Sequence, residues 1–353
     1  MQIQKEHVKK ILCIKLRGIG DVILSSVVFE NLRTDFPGAE IDYLTEPPSK
    51  GALEKLDFIH EVIVLDRKRK YSSLHAVREV RKRKYDLVLD FYSNPRTALI
   101  TFLSGAGYRA GFPYKGRNYA YNLKGPSDRN KFHAARLHVE FLKEIGLSHK
   151  SDSLHFGLDK NDIGFAETAL SSLFNNKKLV VGISPSGGWP SKKCDPAKFA
   201  EICDAIASNY DVNTLVLWGP GDKDDALKIK DLARSDVALA PDSTIRQMGA
   251  LLSKCVFAVA NDSGPMHMAA AVGTPVLSIH GPTDPNLQGP YGRKHEWIRK
   301  EDLECICCNL LVCPRKQECF TELEISSIME KIEVLIRKNR LNVTPNEKSR
   351  NIR

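Results

Sequence analysis

No apolar run in these 353 residues approaches the roughly 20 needed to cross a bilayer. Near the start, basic residues precede Ile11-Leu12-Cys13-Ile14, but that piece is too short for a signal core and no small-residue cleavage site follows. The expectation is a cytoplasmic protein. A dinucleotide fingerprint is missing as well: after Gly18 and Gly20, position 23 is Ile, so the third glycine is absent and NAD is rejected. The loop Ser184 to Lys193 lacks the glycine–lysine–hydroxyl spacing of a Walker A sequence. No nucleic-acid motif accompanies the positive charge, so nucleic acid is not an expected partner. Cys13, Cys194, Cys203 and Cys255 are scattered, three of them in apolar or helical contexts that suit small core residues.

What is present points to anions. The formal charge is +9, which favours nucleotides, phosphorylated lipids or an anionic membrane surface. The stretch Cys255 to Asp284, CVFAVANDSGPMHMAAAVGTPVLSIHGPTD, reads as strand, loop, helix, strand, loop. Pro265 suits a first helical turn, Gly273 a left-handed helix end, and Pro275 blocks continuation. The helix start near Ser263 and Gly264 presents unpaired amides and partial positive charge, a seat for a phosphate. Asp262 beside it suits sugar hydroxyls attached to that phosphate. The other reading, that Asp262 and Ser263 only cap the helix, stays open on capping chemistry alone.

The same grammar runs through both halves. A strand over Lys10–Leu16 leads into Arg17-Gly18-Ile19-Gly20-Asp21 and a helix from about 22 to 36. Asp21 is either a first-turn carboxylate or a general base at a strand's carboxyl end, where open α/β sheets place their sites. Arg67-Lys68-Arg69-Lys70 precedes a helix reaching about Lys84, with Leu74, Val77 and Val80 as its expected buried face. Its basic face is either merely solvated or a docking surface for an anionic acceptor or membrane. Arg96 sits in a first helical turn, where the dipole disfavours a cation, and is a weak acceptor-binding candidate together with Arg109. His133 and His138 flank and enter a further helix and read as structural more readily than as ligands. In the second half, Ser184, Ser186, the paired glycines and Lys192-Lys193 follow a strand and can cradle a phosphate. Asp222 is balanced between accepting ribose hydroxyls and capping the next helix. Cys305, Cys307, Cys308, Cys313 and Cys319 crowd one segment. The set Cys305, Cys308, Cys313, Cys319 is a tentative structural zinc or iron site, against the plain reading of reduced free thiols.

These motifs resemble glycosyltransferase family 9, the ADP-heptose:lipopolysaccharide heptosyltransferases. The resemblance rests on K-x-R-G-I-G-D at Lys15–Asp21, S-P-S-G-G-W at Ser184–Trp189, W-G at Trp218, and above all N-D-S-G-P-M-H-M-A-A-A-x-G-T-P followed by H-G-P-T-D-P. It implies an α/β GT-B fold, two Rossmann-like doubly wound domains facing a central cleft. Residues 1–155 would bind the acceptor and 156–323 the nucleotide sugar. Residues 324–340 would form a C-terminal helix packing back on the first domain, and 341–353 a disordered tail. The implied reaction is inverting, metal-independent transfer of heptose from ADP-heptose to a lipid A–Kdo acceptor, by an enzyme peripheral to the inner face of the cytoplasmic membrane. By motif position Asp21 resembles the general base, Lys193 the lysine on the donor phosphates, and Asp262 the aspartate on the heptose. Ser184, Ser186, Ser263, Gly264 and His267 would line the diphosphate. Lys192, adjacent to Lys193, is an equal claimant to its role. Other readings are a related transferase using another sugar nucleotide or a protein acceptor, and a non-catalytic sugar-nucleotide-binding protein.

Overall fold

The computed structural model describes residues 1–346. The chain divides after Gly157 into two compact units, against an expected break after 155. Each unit holds one six-stranded, all-parallel sheet. In the first, β1 (Lys10–Ile14), β2 (Glu40–Thr45), β3 (Glu61–Val64), β4 (Leu87–Asp90), β5 (Tyr108–Gly111) and β6 (Leu123–Lys124) lie in the order 3-2-1-4-5-6. In the second, β7 (Leu179–Ser184), β8 (Val212–Val216), β9 (Val237–Leu239), β10 (Phe257–Asn261), β11 (Val276–Ile279) and β12 (Glu296–Ile298) repeat that order, with β7 and β10 central.

This order follows from the sequence pattern. Strands buried on both faces read as unbroken apolar runs, and ILCI of β1 and FAVA of β10 are buried throughout. Parallel neighbours demand a crossover, which the intervening helices supply. Each sheet reverses its winding once, between β1 and β4 and between β7 and β10. The crevice at the carboxyl ends of those strands is where such sheets bind ligands.

In the helix Ile325–Asn339, Ile328, Ile332 and Leu335 are fully buried in the second unit's own core, with Val181, Phe199 and Ile279. Its apolar stripe is satisfied by the sheet it follows. Residues 341–346 are not a disordered tail. Leu341 and Val343 pack on the same core, Pro345 bridges to Tyr210, and the Asp211 amide donates to the Thr344 carbonyl at 2.9 Å. The remainder of the expected tail, 347–353, lies outside the described residues. On the helix Ser72–Arg83 the buried residues are Ala76 and Val80, while Leu74 is 52% exposed. The inward stripe is therefore rotated from the expected one.

Candidate functional site

In the first unit, Gly18 begins the helix Ile19–Ser25 with φ of 79°, a left-handed turn that favours glycine. A Cβ there would meet the Asp21 carboxylate at 2.5 Å. Gly18 thus lets Asp21 fold over the start of its own helix. Lys15, 2% exposed at the end of β1, places its ammonium 3.5 Å from Asp21 and 5.5 Å above the Tyr92 ring. Lys15 belongs to the quoted motif, but its pairing with Asp21 was not anticipated. The Asp21 side chain stays half exposed, open to a ligand. Asp90, at the end of β4, is wholly buried; burial raises its carboxyl, and it accepts from the amides of Tyr92 and Ser93 and from the Tyr121 hydroxyl.

His138 lies beside this crevice, 2% exposed, with its ring edge-on to Phe91 at 5.2 Å. Its Nδ1 is 2.7 Å from the Ala134 carbonyl, which only accepts, so Nδ1 carries the proton. Nε2 is buried as a bare acceptor without a hydrogen-bond partner. Burial, then the Lys15 charge, pushes His138 down to about 3. His133 instead caps its helix, accepting from the Ala135 amide at 3.1 Å. Arg96 lies within the Asn94–Thr97 capping box, in the first helical turn, and one guanidinium nitrogen is buried without a partner. Arg109 is not brought to this edge. Near the opposite, amino end of β5, it donates to the Ala106 and Ala120 carbonyls at 2.7 and 3.1 Å. Here the fork staples a loop.

The second unit concentrates charge at the ends of β7, β10 and β11. Ser263 opens the helix Gly264–Ala271 without any side-chain cap; its hydroxyl turns back to the Asn261 carbonyl at 3.1 Å. Asp262 does not cap either. It is buried, 2.6 Å from the Lys192 ammonium, and accepts from Thr283 Oγ1 at 2.5 Å. Burial would raise Asp262, but Lys192, then His280 and Thr283, hold it below the usual carboxylate range. The capping alternative therefore falls away, and the first amides of this helix have no side-chain cap. Lys192 also lies 4.3 Å over the Trp189 ring.

Lys193 takes a different path. A Cβ at Gly187 would sit 2.5 Å from Lys193 Cγ, so the glycine lets the lysine stem pass. Its ammonium meets Asp222 at 2.6 Å and Asp225 at 3.0 Å, and these carboxylates outweigh burial and raise it. Asp222 accepts from Ser186 Oγ at 2.7 Å and makes no side-chain cap. Beside Lys193 is a pocket of about 490 Å³, lined by Gly187, Trp189, Asp225 and Gln317 among others. Ser184 Oγ is buried at the tip of β7 without a partner, and His267 is buried within the helix Gly264–Ala271. Thr283 and His280 were missed by sequence reasoning; only the H-G-P-T-D-P motif hinted at them.

The cysteine segment braces these loops. Ser191 bonds the Leu310 and Leu311 carbonyls, Gln317 donates to the Pro190 carbonyl at 3.0 Å, and the Asn309 amide donates to the Pro282 carbonyl at 2.7 Å. Arg299 donates to Cys307 Sγ at 3.0 Å. A tetrahedral thiolate site needs sulfurs about 3.8 Å apart. Among the described residues no three cysteine sulfurs lie within 4.8 Å of one another; the one group meeting that distance is Asp42, His60 and Glu61, where Arg83 already supplies the cation. The thiols of Cys305, Cys308 and Cys313 nevertheless surround Cys319, and burial, then their charges, push its thiol up to about 12.

The buried histidines make stability pH-dependent. Burial depresses His138 to about 3 and His280 and His295 to about 4. Below their unfolded value the unfolded chain binds more protons, so stability is full above about pH 6.5 and falls on acidification toward 4. At pH 5 each histidine costs about 2 kcal/mol. We expect Tm to drop steeply from pH 7 to 5, and His138→Phe to flatten that drop; a flat profile in the parent protein would contradict it.

A family profile described as glycosyltransferase family 9 (heptosyltransferase) matches residues 74–317. The chain is 26% identical over 296 residues to lipopolysaccharide heptosyltransferase 3 of Escherichia coli, covering 76% of this chain and 82% of that protein. Among solved structures it is similar to a family 9 glycosyl transferase from Veillonella parvula, with TM-score 0.83 and 22% identity, covering 94% of this chain and 97% of that one. It is also similar to the E. coli ADP-heptose LPS heptosyltransferase II, with TM-score 0.76 and 18% identity, covering 94% and 99%. These structures share its GT-B fold.

Proposed function

The chain belongs to glycosyltransferase family 9, and from that premise we propose that it transfers heptose from ADP-heptose to the lipid A–Kdo inner core of lipopolysaccharide, inverting the transferred carbon. That it is a glycosyltransferase follows from the family. The finer reading is carried by the uncapped helix start at Ser263, with the Lys192 ammonium held at the neighbouring Asp262.

In this reading the second unit holds the donor. The amides at Ser263 and Gly264 and the lysines that end the Ser184–Lys193 loop take the diphosphate. They stabilise ADP most as it departs and gathers charge, which lowers the barrier rather than only tightening binding. Asp262 is left to orient sugar hydroxyls, and Ser184 Oγ supplies a hydrogen-bonding group at the strand tip. Asp21 of the first unit takes the proton from the acceptor hydroxyl as that oxygen attacks C1 and the C1–O bond to ADP breaks. Attack from the face opposite the leaving group inverts the carbon. Arg96 would meet an anionic group of the acceptor.

The test is a thermal-shift comparison of ADP, UDP and GDP, followed by transfer from the matching sugar nucleotides. ADP should stabilise by about 2.7 kcal/mol at a hundredfold excess over Kd, and the other diphosphates by much less. A larger shift with UDP or GDP would overturn the assigned donor.

A further inference from the structure

Residues 66–84 carry nine lysines and arginines against two acidic residues, net +7 of the chain's +9. The first unit displays this charge. Residues 66–71 form a turn-rich loop after β3, and the helix Ser72–Arg83 returns across the sheet. Lys68, Arg69, Lys70, Arg78, Arg81, Lys82 and Lys84 are exposed. Ion pairs occupy some of the charge, with Arg67 held by Glu46 and Arg83 by Glu61 and Asp42.

Two large side chains stand out among these cations. Tyr71 is 68% exposed on a left-handed backbone with φ of 58°, and Lys70 lies 5.2 Å from its ring. Leu74, 52% exposed, shares a helix face with Arg78 and Lys82. Folding buries Ala76 and Val80 from this helix and leaves these two outside. Exposed tyrosine and leucine set within clustered lysine and arginine are the pattern of an interfacial membrane contact. The apolar groups enter the headgroup boundary while the cations meet anionic lipid.

The location fits that use. The loop lies at the carboxyl edge of the parallel sheet, the same edge as Lys15 and Asp21. It is two strands away, roughly 10 Å at ordinary strand spacing. Glu46 joins the two places, pairing with Arg67 of the loop and at 3.8 Å with Arg17 of the Lys15–Asp21 motif. Resting on the lipid-linked acceptor proposed above, we infer that residues 67–74, with the cationic helix face behind them, dock the first unit onto an anionic phospholipid bilayer and hold the Asp21 edge at the headgroup level. Nucleic acid would also be drawn to the charge, but the exposed leucine has no part in phosphate recognition.

The experiment is co-sedimentation of the full chain with phosphatidylglycerol/phosphatidylcholine vesicles and with phosphatidylcholine alone. Two variants accompany it, Lys68→Glu/Arg69→Glu/Lys70→Glu and Tyr71→Ser/Leu74→Ser. The parent should bind the anionic vesicles only and be released by high salt. The charge-reversal variant should lose at least about tenfold in partitioning, and the apolar variant several-fold. Both should keep their ADP affinity and Tm. Equal binding to neutral vesicles, no vesicle binding, or undiminished binding by the charge-reversal variant overturns the inference. So does a single-stranded RNA oligonucleotide that displaces the vesicles from the parent. ADP binding and transfer to a delipidated acceptor test the catalytic reading separately. A chain that fails those yet still binds vesicles through residues 67–74 refutes the catalytic assignment and upholds the surface.

Discussion

Replacing Asp21 with Asn should lower transfer about a thousandfold while leaving ADP binding intact. The carboxylate is half exposed, 3.5 Å from a buried ammonium, and seated on a glycine whose Cβ would strike it. Asn keeps the volume and loses the proton-accepting charge, so the loss falls on the chemical step. Stability should fall by about 1 kcal/mol or less, because solvent at the half-exposed carboxylate screens its pairing with Lys15. The measurements are turnover with ADP-heptose and an ADP titration on the same preparation. Near-parental turnover would remove Asp21 from the reaction, and a parallel loss of ADP affinity would mean a disturbed fold. Gly18→Ala should imitate the loss in part, since the left-handed turn and the close carboxylate both resist a methyl group.

The second large effect separates the adjacent lysines. Lys192 and Asp262 are buried partners, with side chains 10% and 5% exposed. Lys192→Met leaves a buried carboxylate beside Thr283 and His280 but without its ammonium, and such a break costs about 3–5 kcal/mol. Lys193 is 30% exposed and shares partly exposed carboxylates. Solvent screens that interaction, so Lys193→Met should cost at most about 1 kcal/mol of stability. It should still lower turnover about a hundredfold, the usual loss when one donor to a developing anion is removed. Chemical denaturation and donor kinetics on both variants decide the matter. A stable, inactive Lys192→Met beside an active Lys193→Met would assign the phosphate role to Lys192 alone.

Much of this molecule was legible before any coordinates. Strand, polar loop and helix follow one another because glycines, prolines and buried apolar runs act over a few residues. Helix starts, the strand ends and Asp21 at a helix opening are such local matters. Even there, capping chemistry left Asp262 and Asp222 ambiguous, since the same carboxylate can serve an amide, an ammonium or a sugar.

Tertiary structure resolved what depends on partners far apart in sequence. Asp262 finds Lys192 and Asp222 finds Lys193, and neither caps its helix. Arg109 finds the Ala106 and Ala120 carbonyls, partners that local spacing does not reveal. The rotation that exposes Leu74, and the helix Ile325–Asn339 closing its own unit's core, depend on which sheet face lies underneath. The cysteines show the limit most clearly: spacing along a chain says which sulfurs are near in sequence, but only the folded loop sets the distances between them. The residues alone determined the α/β pattern and the family to which the motifs belong. Packing decided which charges meet, because burial and long-range strand order set the partners that local spacing leaves open.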